Sequence, residues 1–190
     1  MATLKALYAG RDERPVLRYW CGDESRFGLH TRRGRRITAT GVKPIGLVQW
    51  RFQALYLYGL VEPATGEQFM LEFSHSDSIC FQCFLDQFAA RYPQEWHILQ
   101  LDQASFHVAK DLVIPDNLIV LLQPPKCPEL NPIERLWQHL KATLNWAVFD
   151  SLDELRDVLD QRLQELTPTV VASLTGFNFI INALKFADIY

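Results

Sequence analysis

Cysteine is scarce in this sequence, and long apolar runs are absent from it. The four cysteines among 190 residues are scattered, so we expect reduced thiols rather than a disulfide framework, and a cytoplasmic location. No apolar run reaches the roughly 18 residues that a membrane helix needs. The N-terminus, MATLKALYAGRDERP, lacks the apolar segment of a secretory signal. We therefore expect no membrane association, and a 48% hydrophobic content sufficient for one domain with a core.

The net charge is small, at −3, but it is unevenly distributed along the chain. Residues 1–51 hold eleven Lys/Arg and four Asp/Glu, a net charge of +7, whereas the remainder holds eight and eighteen, a net charge of −10. A basic front favours a polyanionic partner, and an acidic back favours carboxylates that bind a metal. Chance variation of surface charge is the alternative explanation.

Hydrophobic periodicity predicts an α/β fold. Residues 16–22 form a predicted strand that runs into Asp23, and alternation over residues 47–61 followed by QFMLEFS predicts a hairpin. Helix and strand patterns then alternate: DSICFQCFLDQFAARY (helix), WHILQLD (strand), ASFHVAKDLV (short helix) and NLIVLLQP (strand). The early strands should pair antiparallel and the later ones parallel. We expect a mixed five-stranded sheet flanked by helices.

Three segments follow from this pattern. Residues 1–15 are a predicted N-terminal extension, residues 16–150 the α/β core, and residues 151–190 a C-terminal helical segment. A capping box of Ser151 and Glu154 opens the last of these segments.

The stretch QPPKCPELNPIERLW, residues 123–137, changes character halfway. Four prolines hold its first part extended, and a predicted helix follows with Asn131 as N-cap and Pro132 as first helical residue. Glu134 then lies in the first turn, at the edge of the buried stripe of the helix. Such rigidity suits a carboxylate that must be placed accurately.

Two further acids follow predicted strands, Asp23 after YWCG and Asp102 after ILQL. Active sites of open α/β sheets gather at the carboxyl ends of strands, so these side chains should converge with Glu134. Convergent carboxylates repel one another unless a cation lies between them, and oxygen ligands favour Mg²⁺ or Mn²⁺. The alternatives are that Glu134 only completes a helix cap and that the aspartates only form turns.

The blocks GDESRFGLHT, LQLDQASFH and PPKCPELNPIERLW resemble the three signature blocks of DDE transposases, in the bacterial insertion-sequence branch of the mariner superfamily. Their order matches, and 31 residues separate the second and third acids. The resemblance covers most of residues 16–166. It implies an RNase H-like fold, with Asp23, Asp102 and Glu134 as catalytic residues and ligands of two Mg²⁺ or Mn²⁺ ions.

The resemblance also implies a function and partners. A DDE transposase hydrolyses phosphodiester bonds at transposon ends and joins the freed 3′-hydroxyl to target DNA, in this branch usually at TA. The expected partners are double-stranded DNA of both kinds and a separate or missing N-terminal helix-turn-helix module; a homodimer is left open. We expect a nucleoid-associated protein. Another RNase H-like nuclease, or an inactive or truncated remnant that binds DNA, are the alternatives.

Several further residues belong to the predicted site. Gln103 stands where relatives commonly carry Asn, and His107 has the expected later position; both, with Glu24 and Asn131, are predicted to support the ligands. Glu24 should face the opposite side of its strand from Asp23. The basic run of Arg32, Arg33, Arg35 and Arg36 is predicted to bind DNA phosphates, with a solvated basic turn as the alternative.

Overall fold

The computed structural model describes residues 16–35, 37–109, 111–187 and 189. The strands of this part are β1 (Leu17–Gly28), β2 (Ala54–Val61), β3 (Gln68–Phe73), β4 (Trp96–Leu101) and β5 (Leu118–Leu122). The helices are α1 (Ser78–Arg91), α2 (Ile133–Thr143), α3 (Leu152–Glu165), α4 (Pro168–Thr175) and α5 (Asn178–Phe186). The predicted extension, residues 1–15, lies outside the described residues.

The five strands form one sheet in the order β3-β2-β1-β4-β5. The pairs β1–β2 and β2–β3 are antiparallel, and the pairs β1–β4 and β4–β5 are parallel. The predicted mixed five-stranded sheet with flanking helices is therefore confirmed. The central position of β1 follows from its sequence, because LRYWCG supplies apolar side chains to both faces of the sheet.

The strand β1 continues beyond the point at which the sequence pattern ended it. The prediction that the strand ends before Asp23 is wrong, because β1 pairs with β2 as far as Gly28, opposite Ala54. The parallel ladder with β4 stops earlier, at Cys21 opposite Gln100. The second half of β1 therefore has a neighbour on one side only, and the edge that β4 leaves open is where Asp23 lies.

Two other local predictions are wrong. The strand predicted from Leu47 begins only at Ala54, because β1 ends at Gly28 and offers residues 47–53 no ladder to join. The described residues of the segment ASFHVAKDLV, 104–109 and 111–113, form turns and irregular backbone instead of a helix. There the Asp102 side chain accepts a hydrogen bond from the Ala104 N–H at 2.9 Å, a local bond that competes with helix formation.

Each face of the sheet carries its own apolar core. On one face α1 packs Phe81, Phe84, Leu85 and Phe88 against Trp20 and Leu99. The helix follows the predicted pattern, and the Asp77 side chain caps it by accepting from the Cys80 N–H at 2.9 Å. On the other face α2 packs against β1 and β2, with Trp137 and Ile133 almost fully buried.

The C-terminal helices α3, α4 and α5 share the core that α2 forms with the sheet, through Leu155, Leu159, Val171, Ile180 and Leu184. As predicted, the Ser151 side chain caps α3, accepting from the Glu154 N–H at 3.1 Å. In the described part of the chain no single helix has the length and apolarity to cross a membrane; α4 and α5 together pass that test, but with a 96° bend between them.

Phe88→Ala should lower the free energy of unfolding by about 3–5 kcal/mol, the usual loss for a large aromatic removed from a core. Phe88 is fully buried and contacts the rings of Trp20, Phe69 and His97. Urea denaturation measures the loss. The exposed neighbour Gln87, changed to Ala, is the control and should shift stability by no more than about 0.5 kcal/mol. Equal effects of the two changes would contradict the described packing of α1.

Candidate active site

Three carboxylates line one cleft at the open edge of β1. The cleft has a volume of about 270 Å³, and Asp23, Asp102 and Glu134 all contribute to its walls. Asp23 and Asp102 lie two residues beyond the last parallel pair, Cys21 and Gln100, so the two neighbouring strands place them at the same level. Glu134 comes from the first turn of α2, which packs over β1. The structure thus brings together the three acids that the sequence singled out.

A buried polar network joins the proline segment to the sheet below the cleft. The Gln100 side chain on β4 donates to the Leu130 carbonyl at 2.9 Å and to the Gln123 side chain at 3.2 Å. The Tyr19 hydroxyl donates to the same glutamine from β1. Because each of these groups is buried with a partner, the segment before α2 is held in one position.

Asn131 has a different role from the N-cap that the sequence predicted. Its side chain makes no capping hydrogen bond to α2, and Pro132, which already has helical dihedral angles of −58° and −31°, precedes the helix. Instead the Asn131 side-chain amide donates to the Gly22 carbonyl at 2.8 Å. The start of α2 is therefore tied directly to the residue before Asp23, because the amide reaches the sheet rather than its own helix.

Trp137, which the sequence analysis did not single out, holds Asp23 from α2. Its indole Nε1–H donates to Asp23 Oδ2 at 3.0 Å. Trp137 lies one turn after Glu134, so both side chains project from the same side of the helix. Opposite Asp23 on β2 lies Gly59, where a Cβ atom would come within 2.8 Å of the Trp137 ring. A glycine at that position leaves the room that the indole occupies.

His107 connects Asp102 to Glu24. Its Nδ1 lies 2.7 Å from Asp102 Oδ1 and its Nε2 lies 3.0 Å from Glu24 Oε1. Phe81 and Phe106 flank the imidazole, with ring centroids 4.5 Å away in each case. Glu24 follows Asp23 on β1, so its side chain points to the opposite face of the strand, and its hydrogen bond to His107 links it to Asp102.

Gln103 lies beside Asp102 but turns toward β5. Its side-chain amide donates to the Gln123 carbonyl at 2.9 Å, which links the segments that follow β4 and β5. Gln103 and Gln123 also line the acidic cleft. The longer glutamine side chain therefore bridges two strand ends.

Electrostatics couple the three acids. Burial raises the pKa of Asp23 to about 8, and the negative charges of Glu24, Glu134 and Asp102 contribute to the rise. Burial and Asp102 also raise the pKa of Glu134, against the opposing effect of Lys141. The His107 hydrogen bond lowers the pKa of Asp102. Although burial lowers the pKa of His107, its hydrogen bonds to Asp102 and Glu24 raise it to about 9.

The residues of the cleft fit a hard divalent cation. Its acidic side chains offer only oxygen, the ligand that Mg²⁺ and Mn²⁺ prefer. Asn131 Oδ1, in a residue that also lines the cleft, is buried without a hydrogen-bond partner. Among the described residues no three His, Cys, Asp or Glu side chains are close enough to hold an ion as they stand. After burial, the negative charges of Glu134 and Asp102 contribute to the raised pKa of Asp23, and a bound cation would offset that repulsion.

A second cleft is lined by basic residues. Arg26, Arg32 and Arg33 line it together with Lys141 of α2. Lys141 is half-buried, and within the described residues it makes no hydrogen bond or ion pair; its ammonium lies 5.6 Å from the centre of the Phe27 ring and interacts electrostatically with Arg32, Glu134 and Asp23. Of the predicted DNA-binding arginines, Arg35 is exposed outside this cleft, and Arg36 lies outside the described residues.

The model of the family described as DDE superfamily endonuclease matches residues 18–156. The chain belongs to this family. The matched range includes Asp23, Asp102 and Glu134. An uncharacterised protein of Sinorhizobium fredii, y4pE/y4sA, is 34% identical over 104 residues, which cover 53% of this chain and 76% of that protein.

The fold of this DDE superfamily chain is the RNase H-like fold of the Mos1 transposase. The Mos1 strand transfer complex aligns with a TM-score of 0.65 at 17% identity, over 84% of this chain and 51% of the Mos1 chain. The Mos1 paired-end complex with the left transposon end gives 0.64 at 17% identity, over 92% and 55%. The Mos1 paired-end complex with Mn gives 0.63 at 17% identity, over 83% and 51%. The chain thus spans about half the length of these transposases.

Asn131→Ala should lower the free energy of unfolding by about 1–3 kcal/mol, because it leaves the buried Gly22 carbonyl without its side-chain donor. Chemical denaturation followed by tryptophan fluorescence measures the change. Glu129→Ala, an exposed residue of the same proline segment, is the matched control and should change stability by about 0.5 kcal/mol or less. Indistinguishable stabilities of the two variants would show that the bond does not anchor α2.

Proposed function

We propose that this DDE superfamily chain is the catalytic domain of a DNA transposase of the bacterial insertion-sequence branch of the mariner superfamily. It cleaves phosphodiester bonds at transposon ends and transfers the freed 3′-hydroxyl to target DNA at TA. The observation that carries the proposal is the meeting of Asp23, Asp102 and Glu134 in one cleft, within the range that the family model matches.

Asp23, Asp102 and Glu134 are the proposed ligands of two divalent ions. Mg²⁺ or Mn²⁺ bound there would polarise the phosphoryl group and activate the attacking oxygen. The likeness to a Mos1 complex that contains Mn supports this choice of metal. The nucleophiles are water and then a DNA hydroxyl, so the chain contributes positioning and charge rather than a covalent intermediate.

The neighbouring residues position these ligands. The Trp137 indole donates a hydrogen bond to one oxygen of Asp23, and the other oxygen is left to bind metal in the cleft. His107 and the Ala104 N–H both bind Oδ1 of Asp102, so Oδ2 is the atom available to a metal. Glu24 and Asn131 act indirectly. Glu24 binds His107, and Asn131 binds the Gly22 carbonyl. Gln103 fixes the segment that carries Asp102.

Double-stranded DNA is the proposed partner, as transposon end and as target. The basic cleft supports this, because exposed arginines line it together with Lys141, whose charge interacts with Glu134 and Asp23 of the acidic cleft. Mos1, whose catalytic fold is shared, is described in complex with a transposon end. We further propose that an N-terminal helix-turn-helix module, separate from these residues, reads the ends, that two catalytic domains act as a homodimer, and that the protein is nucleoid-associated.

A strand-transfer assay with Mn²⁺ tests the proposed reaction. It supplies the element's own ends, a target plasmid and a separately expressed N-terminal part. We expect joined products that are absent with Asp102→Asn and present with the control Glu129→Gln. Cleavage of RNA–DNA hybrids or four-way junctions without any joining would support another RNase H-like nuclease. Metal binding without any cleavage would identify an inactive remnant.

Mn²⁺ should raise the melting temperature of the isolated chain, because a ligand that binds only the folded state stabilises it. At one hundred times its dissociation constant the gain is about 2.7 kcal/mol. Asp23→Asn, Asp102→Asn and Glu134→Gln should each reduce the shift strongly, whereas Glu129→Gln should leave it intact. Differential scanning fluorimetry across a Mn²⁺ titration gives the result. A full shift in all three variants would falsify the assignment of these ligands.

Neutralising Arg32, Arg33, Arg35 and Arg36 to glutamine should weaken the binding of all duplexes alike. Phosphate contacts position DNA without reading its sequence. The dependence of the logarithm of affinity on the logarithm of salt concentration should flatten, by up to about 0.9 per lost phosphate contact. Fluorescence anisotropy at several salt concentrations measures the slope, with the exposed Arg91→Gln on α1 as control. Equal slopes for the native and neutralised chains would place the DNA elsewhere.

A further inference from the structure

The basic cleft is more than a charged surface, because aromatic and apolar side chains also form its walls; the space between these walls is called the hollow below. Its volume is about 500 Å³, within the range of roughly 300–1,000 Å³ that is usual for small-molecule sites. Cationic groups of Arg26, Arg32 and Lys141 share its lining with the indole of Trp50 and the apolar Phe149. None of the described residues that line it is acidic.

The walls of the hollow are held together by hydrogen bonds that cross between distant segments. The backbone N–H of Trp146 donates to the Arg32 carbonyl at 2.8 Å, and its indole N–H donates to the Gly34 carbonyl at 2.9 Å. The Gln49 side chain donates to the Phe149 carbonyl at 2.9 Å. The arginine segment and the segment before Trp50 are therefore both fastened to the residues that follow α2.

Trp50 presents an aromatic surface with room for another ring. The residue is 66% exposed. Its ring meets His30 nearly at a right angle, 87°, with centroids 5.0 Å apart. An edge-to-face contact of this kind covers at most one face of the indole, so at least one face remains for stacking. An exposed tryptophan in a cleft lined by cations suits a flat ring that carries a negative group.

From this lining we propose that the hollow binds a single unpaired nucleotide of the bound DNA, with the base against Trp50 and its phosphate near Arg32 and Lys141. The inference rests on the proposed function. An intact duplex keeps its bases stacked inside, so it can contact the cations but cannot stack a base on Trp50. A base released from its partner uses both, because every base has a flat face that stacks on an aromatic ring.

The position of the hollow relative to the acidic cleft supports this ligand. Lys141 and Glu134 are seven residues apart on α2, which is about 10 Å along the helix axis. A strand whose phosphate lies at the three carboxylates can therefore place a nucleotide close to the cut in the hollow. The unpaired nucleotide would be one that flanks the cleaved bond.

Three DNA ligands test the proposal with the full chain: a blunt hairpin duplex, the same duplex with one unpaired nucleotide, and the same duplex with one abasic sugar–phosphate in that position. The abasic overhang keeps the phosphate and lacks the base. We expect the base-bearing overhang to bind roughly tenfold more tightly than the abasic one, the scale of one base–aromatic stack. A 2-aminopurine overhang should lose fluorescence on binding.

Trp50→Ala should abolish the difference between base-bearing and abasic overhangs and leave blunt-duplex binding unchanged, whereas Trp50→Phe should retain it. Phe186→Ala, an exposed aromatic on α5, should behave as the native chain. Blunt-duplex binding without a base-dependent gain, or a gain that survives Trp50→Ala, would overturn this inference alone. Failure to bind any of the three DNAs would overturn the proposed function as well.

Discussion

Burial of Asp23 between β1 and α2 is the constraint on which the rest of the site depends. The carboxylate lies where β4 no longer covers β1, beneath a helix whose tryptophan binds one of its oxygens. Low solvent exposure and three nearby acids make its negative charge unfavourable, which is why its pKa rises to about 8. A divalent cation would relieve that cost, since it would place two positive charges next to the carboxylate.

The contacts around this carboxylate set the positions of the other two acids. Asn131 binds the Gly22 carbonyl, so the start of α2, and Glu134 with it, is placed relative to β1. His107 bridges Asp102 and Glu24, so the end of β4 is placed relative to the same strand. Asn131 and His107 are far from Asp23 in sequence, and they bind the residues on either side of it, Gly22 and Glu24. The three acids repel one another, and contacts made by the surrounding backbone and side chains keep them around one cleft.

Local sequence signals predicted the mixed sheet, α1 and the convergence of the three acids. They did so because strand alternation, helical periodicity and proline rigidity act over a few residues. They failed where a distant partner decides the outcome: β1 passes Asp23 because β2 continues to pair with it, and Asn131 reaches Gly22 instead of capping its own helix. Trp137 looked like an ordinary core residue of an amphipathic helix. Only Gly59, opposite Asp23, leaves the space that brings the indole to the carboxylate.

In the proposed function, the acidic and basic clefts have different roles in binding DNA. The acids need a cation before they can approach a phosphate, whereas the arginines and Lys141 attract the strand without one. The central claim is that the three carboxylates bind divalent metal together, and anomalous scattering from Mn²⁺-soaked crystals tests it most directly. We predict anomalous density in the acidic cleft, within coordination distance of Asp23, Asp102 and Glu134. Density confined to other carboxylates, with this cleft empty at saturating Mn²⁺, would contradict it.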